Sequence, residues 1–267
     1  MRASLFVLSA LAVSACVPRS DGMTNADSTM NASREAASMR ASAPAAMSSM
    51  AGGPQAIATV LYFPPTDAAA FEAYYPTHRK LVGEHAAEIG FTKVELTRFT
   101  GTLDGTPSPF YRQAELYFPN LEALKQGIGT PGFKKVADDL ANFATGGLIA
   151  LVAEETGSAS ETACPALVTV IYEQPTDAAA FEAYYPTHLA LVGTHQSTIG
   201  FTRADLTKFI SALDGSAPPK YRQAELCFDS VEARTKGLAT PGFGAVGADL
   251  ANFATGGLVA LLGEATN

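Results

Sequence analysis

The sequence predicts an α+β fold made of two tandem βαββαβ units. Three observations lead there. Residues 57–155 recur at 167–265 at a constant offset of 110, without a gap, and about 60 of the 99 aligned pairs are identical; such self-similarity marks one structural unit built twice. Within each copy the apolar period switches between two, as in strands, and 3.6, as in helices. Cap and turn residues fall where the period changes. A copy of about 100 residues is long enough to bury its own core, and this order of elements is the ferredoxin-like split unit.

Within the first copy, residues 57–63 form a β-rich run. Thr66 can cap a helix whose stripe is Phe71, Tyr75, His78, Val82, His85 and Ile89. At 100° per residue these six lie within about 40° of one direction, a single buried stripe. Pro76 removes a backbone hydrogen bond and should kink that helix. Residues 91–99 alternate as a strand, Leu103-Asp104-Gly105 and the prolines after it make a turn, and 111–118 is the return strand. Asn120 caps a short helix, Thr130-Pro131 opens another at N-cap and N1, and Gly146-Gly147 stops it. Residues 148–152 close the unit as a fourth strand.

The front of the chain carries an address. Met1-Arg2 is a basic start, and residues 5–13 are an apolar run too short to span a bilayer. The run ends in Val13-Ser14-Ala15-Cys16, which resembles a bacterial lipobox, in which the Cys16 thiol is acylated. Residues 1–15 therefore read as a lipoprotein signal peptide and Cys16 as the lipidation site, giving the membrane as a partner through a lipid anchor. Val17, where an Asp would signal inner-membrane retention, points to the outer membrane facing the periplasm. Residues 16–55 are rich in Ser, Ala, Asn, Met and Gly without apolar periodicity, a composition that reads as a disordered tether. The two copies then occupy 56–155 and 166–267, with a linker at 156–165. A net charge of −8, from 18 basic and 26 acidic residues, argues against nucleic acid as a partner.

The repeated blocks resemble the EthD family of dimeric α+β barrels. The resemblance rests on Phe71-Glu72-Ala73-Tyr74-Tyr75 leading to His78, on Tyr111-Arg112-Gln113-Ala114-Glu115-Leu116-Tyr117-Phe118, and on Leu140-Ala141-Asn142-Phe143-Ala144-Thr145-Gly146-Gly147. The family usually places Pro-Leu shortly after the histidine, whereas this chain has His78-Arg79-Lys80-Leu81 and His188-Leu189-Ala190-Leu191. Members pair two single-domain chains sheet against sheet. The resemblance therefore implies a fused dimeric α+β barrel, an intramolecular pseudo-dimer of the two repeats, with the oxidoreductase activity the family often carries.

Relatives of this fold hold a pocket between helix and sheet, and the histidines fall on the stripe that faces it. His78, His85, His188 and His195 are all the histidines of the chain. His78 and His188 are the candidate acid/base groups, because imidazole titrates near neutrality; Tyr75 and Tyr185, one turn earlier, would hold a ligand oxygen. The remaining walls are expected from His85, His195, Val82, Val192, Leu96, Leu206, Leu116 and Leu226. Such a cleft suits a small hydrophobic or aromatic ligand, either as the substrate of an enzyme or as the cargo of a non-catalytic binding or stress protein. No metal is expected, since residues seven apart on a helix stand about 10 Å apart along its axis. No Gly-rich nucleotide loop, Cys-x-x-Cys or Gly-x-Ser-x-Gly is present, so no cofactor is expected.

Alternation places Lys93, Glu95, Tyr111, Gln113, Glu115 and Tyr117 on the other sheet face, lining the seam between the halves. There Glu115 is expected to pair with Lys93, and Glu225 with Arg203. Arg112 and Arg222, on the helix side, serve equally as anchors or as binders of an anionic group. Finally, an oxidising compartment would permit a disulfide between Cys164 and Cys227, whereas parallel first and third strands would set the two cysteines far apart.

Overall fold

The computed structural model of the protein describes residues 54–157 and 164–266. Cys16, the signal peptide and nearly all of the tether lie outside the described residues. Eight strands close into one antiparallel barrel: β1 (Ala56–Tyr62), β2 (Lys93–Thr102), β3 (Arg112–Phe118), β4 (Leu148–Glu155), β5 (Ala166–Glu173), β6 (Arg203–Ala212), β7 (Lys220–Phe228) and β8 (Leu258–Ala265). Around the barrel the order is β1-β3-β2-β8-β5-β7-β6-β4. Each copy thus forms a four-stranded sheet, and the two sheets join through β2–β8 and β4–β6. The fused dimeric barrel implied by the family resemblance is what forms, and closure leaves no sheet edge unpaired.

Seven α-helices, counted among the described residues, pack outside the barrel. They are α1 (Ala68–Glu84), α2 (Ala86–Ile89), α3 (Leu121–Ile128), α4 (Pro131–Asp139), α5 (Ala178–Ile199), α6 (Val231–Leu238) and α7 (Pro241–Asp249). Asn120 and Thr130 cap α3 and α4 as expected, each accepting a backbone N–H from three residues on. The first helix, however, is capped by Asp67 rather than Thr66: the Asp67 carboxylate accepts from Ala70 N at 2.9 Å, while the Thr66 hydroxyl bonds Thr145. α1 runs through Pro76, and the break falls later, at His85. α4 stops at Asp139, and a 3₁₀ turn, Leu140–Asn142, precedes the glycine pair. Gly147 then sits at φ 82°, where a side chain would be strained.

The two sheet faces bury different chemistry. On the outer face Ile89, Phe118, Leu124 and their neighbours pack against the helices in the first copy, and Ile199, Phe228 and Val246 do so in the second. Inside the barrel Ile57, Leu61, Phe99 and Leu151 of one half meet Ile171, Phe209 and Leu261 of the other in a single shared core. Beside that core lies a polar layer. Gln113 donates across the seam to Glu225 at 3.1 Å and Gln223 donates to Glu115 at 3.0 Å. The expected Glu115–Lys93 and Glu225–Arg203 pairs are therefore replaced. The register puts Lys93 opposite Tyr117, so Lys93 bonds Glu95, and Arg203 bonds Asp205 and reaches Glu95 of the other half. Tyr111 also departs from expectation. It precedes β3, where the alternation is interrupted, and its hydroxyl donates to Glu72 on the helix side at 2.7 Å.

Cys164 and Cys227 are bonded, with Cα atoms 5.4 Å apart. The expectation failed on strand direction. β5 and β7 are antiparallel neighbours, and Leu167 stands opposite Cys227, which brings the start of one strand to the end of the other.

Candidate functional site

Each half holds a cavity between its long helix and the outer sheet face. In the first half it has a volume of about 330 Å³, walled by Tyr75, His78 and Val82 from α1 and by Leu96 and Leu116 from the sheet. In the second half the equivalent space, beside Tyr185, His188, Val192, Leu206 and Leu226, is about 100 Å³. All ten of these expected wall residues are where the helical and strand periods put them. His85 and His195 are not. His85 bonds Glu88 at 3.0 Å, and both rings stand against glycines, Gly132 and Gly242, in the first turn of α4 and α7.

Residues of the opposite half complete the first cavity. Leu213, after β6, and Thr266, after β8, contribute to its wall. Arg112 explains how Thr266 is held: its guanidinium donates to the Thr266 hydroxyl at 2.8 Å and forms a two-pronged ion pair with Glu72 on α1. It also lies 4.7 Å over the ring of Tyr75. Arg222 repeats the arrangement with Glu182, Thr156 and Tyr185. Both arginines are anchors with satisfied donors.

Sequence reasoning missed the group that gives His78 its chemistry. Asp139, the last residue of α4, accepts from His78 Nδ1 at 2.8 Å. Its other oxygen accepts from the Tyr74 hydroxyl at 2.7 Å and from Asn142 Nδ2 at 2.9 Å. Burial acts to raise the Asp139 pKa, but the donors Tyr74, His78 and Asn142 outweigh it and hold the carboxyl below its ordinary range. An ionised Asp139 requires the proton on Nδ1, which leaves Nε2 of the neutral ring as an acceptor. Burial, the larger influence, pulls the His78 pKa below its ordinary value against the pull of Asp139. The ring is therefore neutral at pH 7. His188, Asp249, Tyr184 and Asn252 repeat the set, with His188 Nδ1 2.8 Å from Asp249.

Tyr75 stands one turn before His78, its ring 6.2 Å from the imidazole. Burial first, tempered by Arg112, pushes its phenol up to about 12, and Tyr185 likewise. Both remain protonated donors. The Tyr185 hydroxyl is buried with no hydrogen-bond partner among the described residues, a state that ordinarily costs stability. Each site thus sets the histidine beside a tyrosine on a largely apolar wall, to which the first cavity adds Arg79 and Thr266. That arrangement can take a proton from an acidic C–H or O–H and hold a neighbouring oxygen.

Comparison with known proteins fits this geometry. The model of the EthD domain matches twice, at residues 64–147 and 173–257, together more than half of the chain. The chain belongs to the EthD family. A Rhodococcus erythropolis protein, described as an uncharacterized 11.0 kDa protein in the thcB-thcC intergenic region, is 36% identical over 95 residues, 35% of this chain and 88% of that one. An EthD-family protein from Bacillus halodurans is 29% identical, covering 40% of this chain and 99% of its own, with a TM-score of 0.34. A proposed monooxygenase of Fusobacterium nucleatum shares the barrel at 11% identity and a TM-score of 0.52, over 82% of this chain and 94% of its own. Both EthD domains carry the His–Asp–Tyr set described above. Among the described residues no group of three or more His, Cys, Asp or Glu side chains is placed to hold a metal ion.

Proposed function

We propose that this EthD-family chain is an envelope lipoprotein that binds a small hydrophobic or aromatic molecule in its helix–sheet cavity and removes a proton from it with His78. The observation that supports this reading is the His78–Asp139 pair at the cavity wall, in which Nδ1 is taken by the carboxylate and Nε2 is left as the ring's acceptor. For a quinol ligand the balanced step is loss of two protons and two electrons to give the quinone, with an external acceptor such as dioxygen taking both electrons and both protons to become hydrogen peroxide. His78 takes the first proton, becomes imidazolium stabilised by Asp139, and passes that proton to the reduced oxygen. A second reading, storage without turnover, is favoured by the walls: Val82, Leu96, Leu116 and Phe133 offer contact and no chemistry.

The lipobox at Cys16 supports the location, and so does the Cys164–Cys227 bond, since disulfides persist in oxidising compartments. No helix among the described residues is long and apolar enough to cross a membrane, so in this reading the acyl chains on Cys16 hold the protein and residues 16–55 tether it. Cys16→Ser should release it from the membrane fraction.

The deciding experiment screens small phenols, quinols and aromatic ketones for binding and turnover, with wild type and His78→Gln side by side. Turnover that falls about 10²–10⁴-fold in the variant, with binding kept, supports acid/base catalysis. Binding without turnover in either protein supports storage. Neither binding nor turnover across the panel contradicts both readings.

A further inference from the structure

The two cavities are written by nearly the same residues, yet they differ about threefold in volume. The position after the histidine separates them. In the first half it is Arg79, exposed at the cavity wall; in the second it is Leu189, half-buried and packed against the cluster of Tyr172, Phe181 and Tyr185. Neighbouring side chains follow. Val192 and Phe201 are buried, while Val82 and Phe91 are only partly so. A cavity of about 150 Å³ takes up benzene; the first space exceeds that volume and the second falls short of it.

Arg79 also changes the charge of the site. Among the described residues it is the one permanently charged side chain in the first cavity's wall, and the second wall has none. Arg79 makes no ion pair or hydrogen bond within the described residues, unlike Arg112 on the neighbouring strand. On α1 it follows Tyr75 by one turn, so its guanidinium and the Tyr75 hydroxyl share a face.

Building on the proposed ligand cavity, we propose that the chain binds one ligand, in the first half only, and that this ligand is an aromatic carboxylate. The rings lie against Val82, Leu96 and Leu116, and the carboxylate accepts from Arg79 and Tyr75. The second half is the structural partner that supplies Leu213 and Thr266 to the working cavity.

Calorimetric titration of the whole mature chain with 2-naphthoate and with its uncharged counterpart 2-naphthamide tests this. The expected result is one naphthoate per chain, bound about fivefold more tightly than the amide at low salt, with the preference shrinking in 0.5 M NaCl. Arg79→Gln, which removes the charge without installing the leucine of the second half, should abolish that preference for the acid over the amide. Ala137→Phe, which fills the first cavity, should abolish binding, and Gly247→Phe, at the equivalent place in the second half, should not. Two equivalent sites per chain, or loss of binding in Gly247→Phe alone, would overturn the one-cavity assignment. Equal affinity for acid and amide in the wild type overturns the carboxylate assignment while leaving the cavity reading standing. No binding of either compound at millimolar concentration overturns the cavity reading itself.

Discussion

The two halves of this barrel carry the same His–Asp–Tyr–Asn set at nearly the same distances, yet the space beside it is about three times larger in the first half than in the second. The first half has Arg79, a helix broken at His85 and a cavity of about 330 Å³. The second has Leu189, one continuous helix, a cavity of about 100 Å³ and a disulfide where the first half has Tyr117. Duplication preserved the polar constellation while a few wall positions diverged. The presence of a catalytic-looking triad of side chains is therefore not enough to name a site; the volume beside it decides.

The largest effect separates the histidines. His78→Gln should lower turnover about 10²–10⁴-fold, whereas His188→Gln should leave it within a factor of two. Equal losses in steady-state assays would mean that both halves work and that the comparison is wrong.

Next comes the cross-link. The disulfide closes a segment of sequence separation 63, for which loop entropy predicts about 4 kcal/mol of stability. The Cys164→Ser, Cys227→Ser double variant should lose about that much in urea unfolding, yet keep naphthoate binding, because the bond braces the half without the open cavity. Loss of binding would place the bond in service of the first cavity.

The barrel interior, which both halves share, predicts a pH dependence. Glu115, Glu225 and Glu155 are pushed up from the ordinary carboxylate value of 4.5, Glu155 to about 7, by burial first and by acidic neighbours second. Between the unfolded and folded values the native chain holds more protons than the unfolded chain. Stability contributed by these groups is thus fully present below about 4.5 and is lost as pH rises through about 7. Glu115→Gln keeps the bond accepted from Gln223 and should add about 1–2 kcal/mol at pH 8 with a flatter slope. Urea midpoints measured from pH 5 to pH 8 check this, and a stability that rises with pH over that range contradicts it.

Smallest of all is Arg234→Leu. Arg234 is buried and donates to the carbonyls of Leu167 and Gly263, but the first half manages the same place with Leu124. Desolvation cancels most of what a buried charge contributes, so the change should move stability by no more than about 1 kcal/mol.

Local physics made much of this legible before any coordinates. The caps at Asn120 and Thr130, the stripe of Phe71, Tyr75, His78 and Val82, and the parity that sends Leu96 and Leu116 to the helix side all follow from spacing alone, whereas the break at His85 takes that histidine out of the stripe. What spacing does not encode is contact between distant segments. Asp139 lies 61 residues from His78, and its place in a repeated block gave no sign that it meets the imidazole; the repetition of Tyr74 and Asn142 around it was the signal available. Glu115 meets Gln223 only because the sheet closes on a second sheet. The disulfide was misjudged through one wrong strand direction, an error that hydrophobic pattern cannot detect because alternation reads the same both ways.

The central claim is that His78 presents an unprotonated Nε2 to the first cavity. Nitrogen-15 NMR of the histidine rings, followed as a function of pH, measures it directly. The account predicts that His78 is a neutral Nδ1–H tautomer at pH 7, titrating below the ordinary imidazole value of 6.5, and that its Nε2 signal moves when naphthoate binds. A His78 ring that is protonated at pH 7, or that carries its single proton on Nε2, would contradict it.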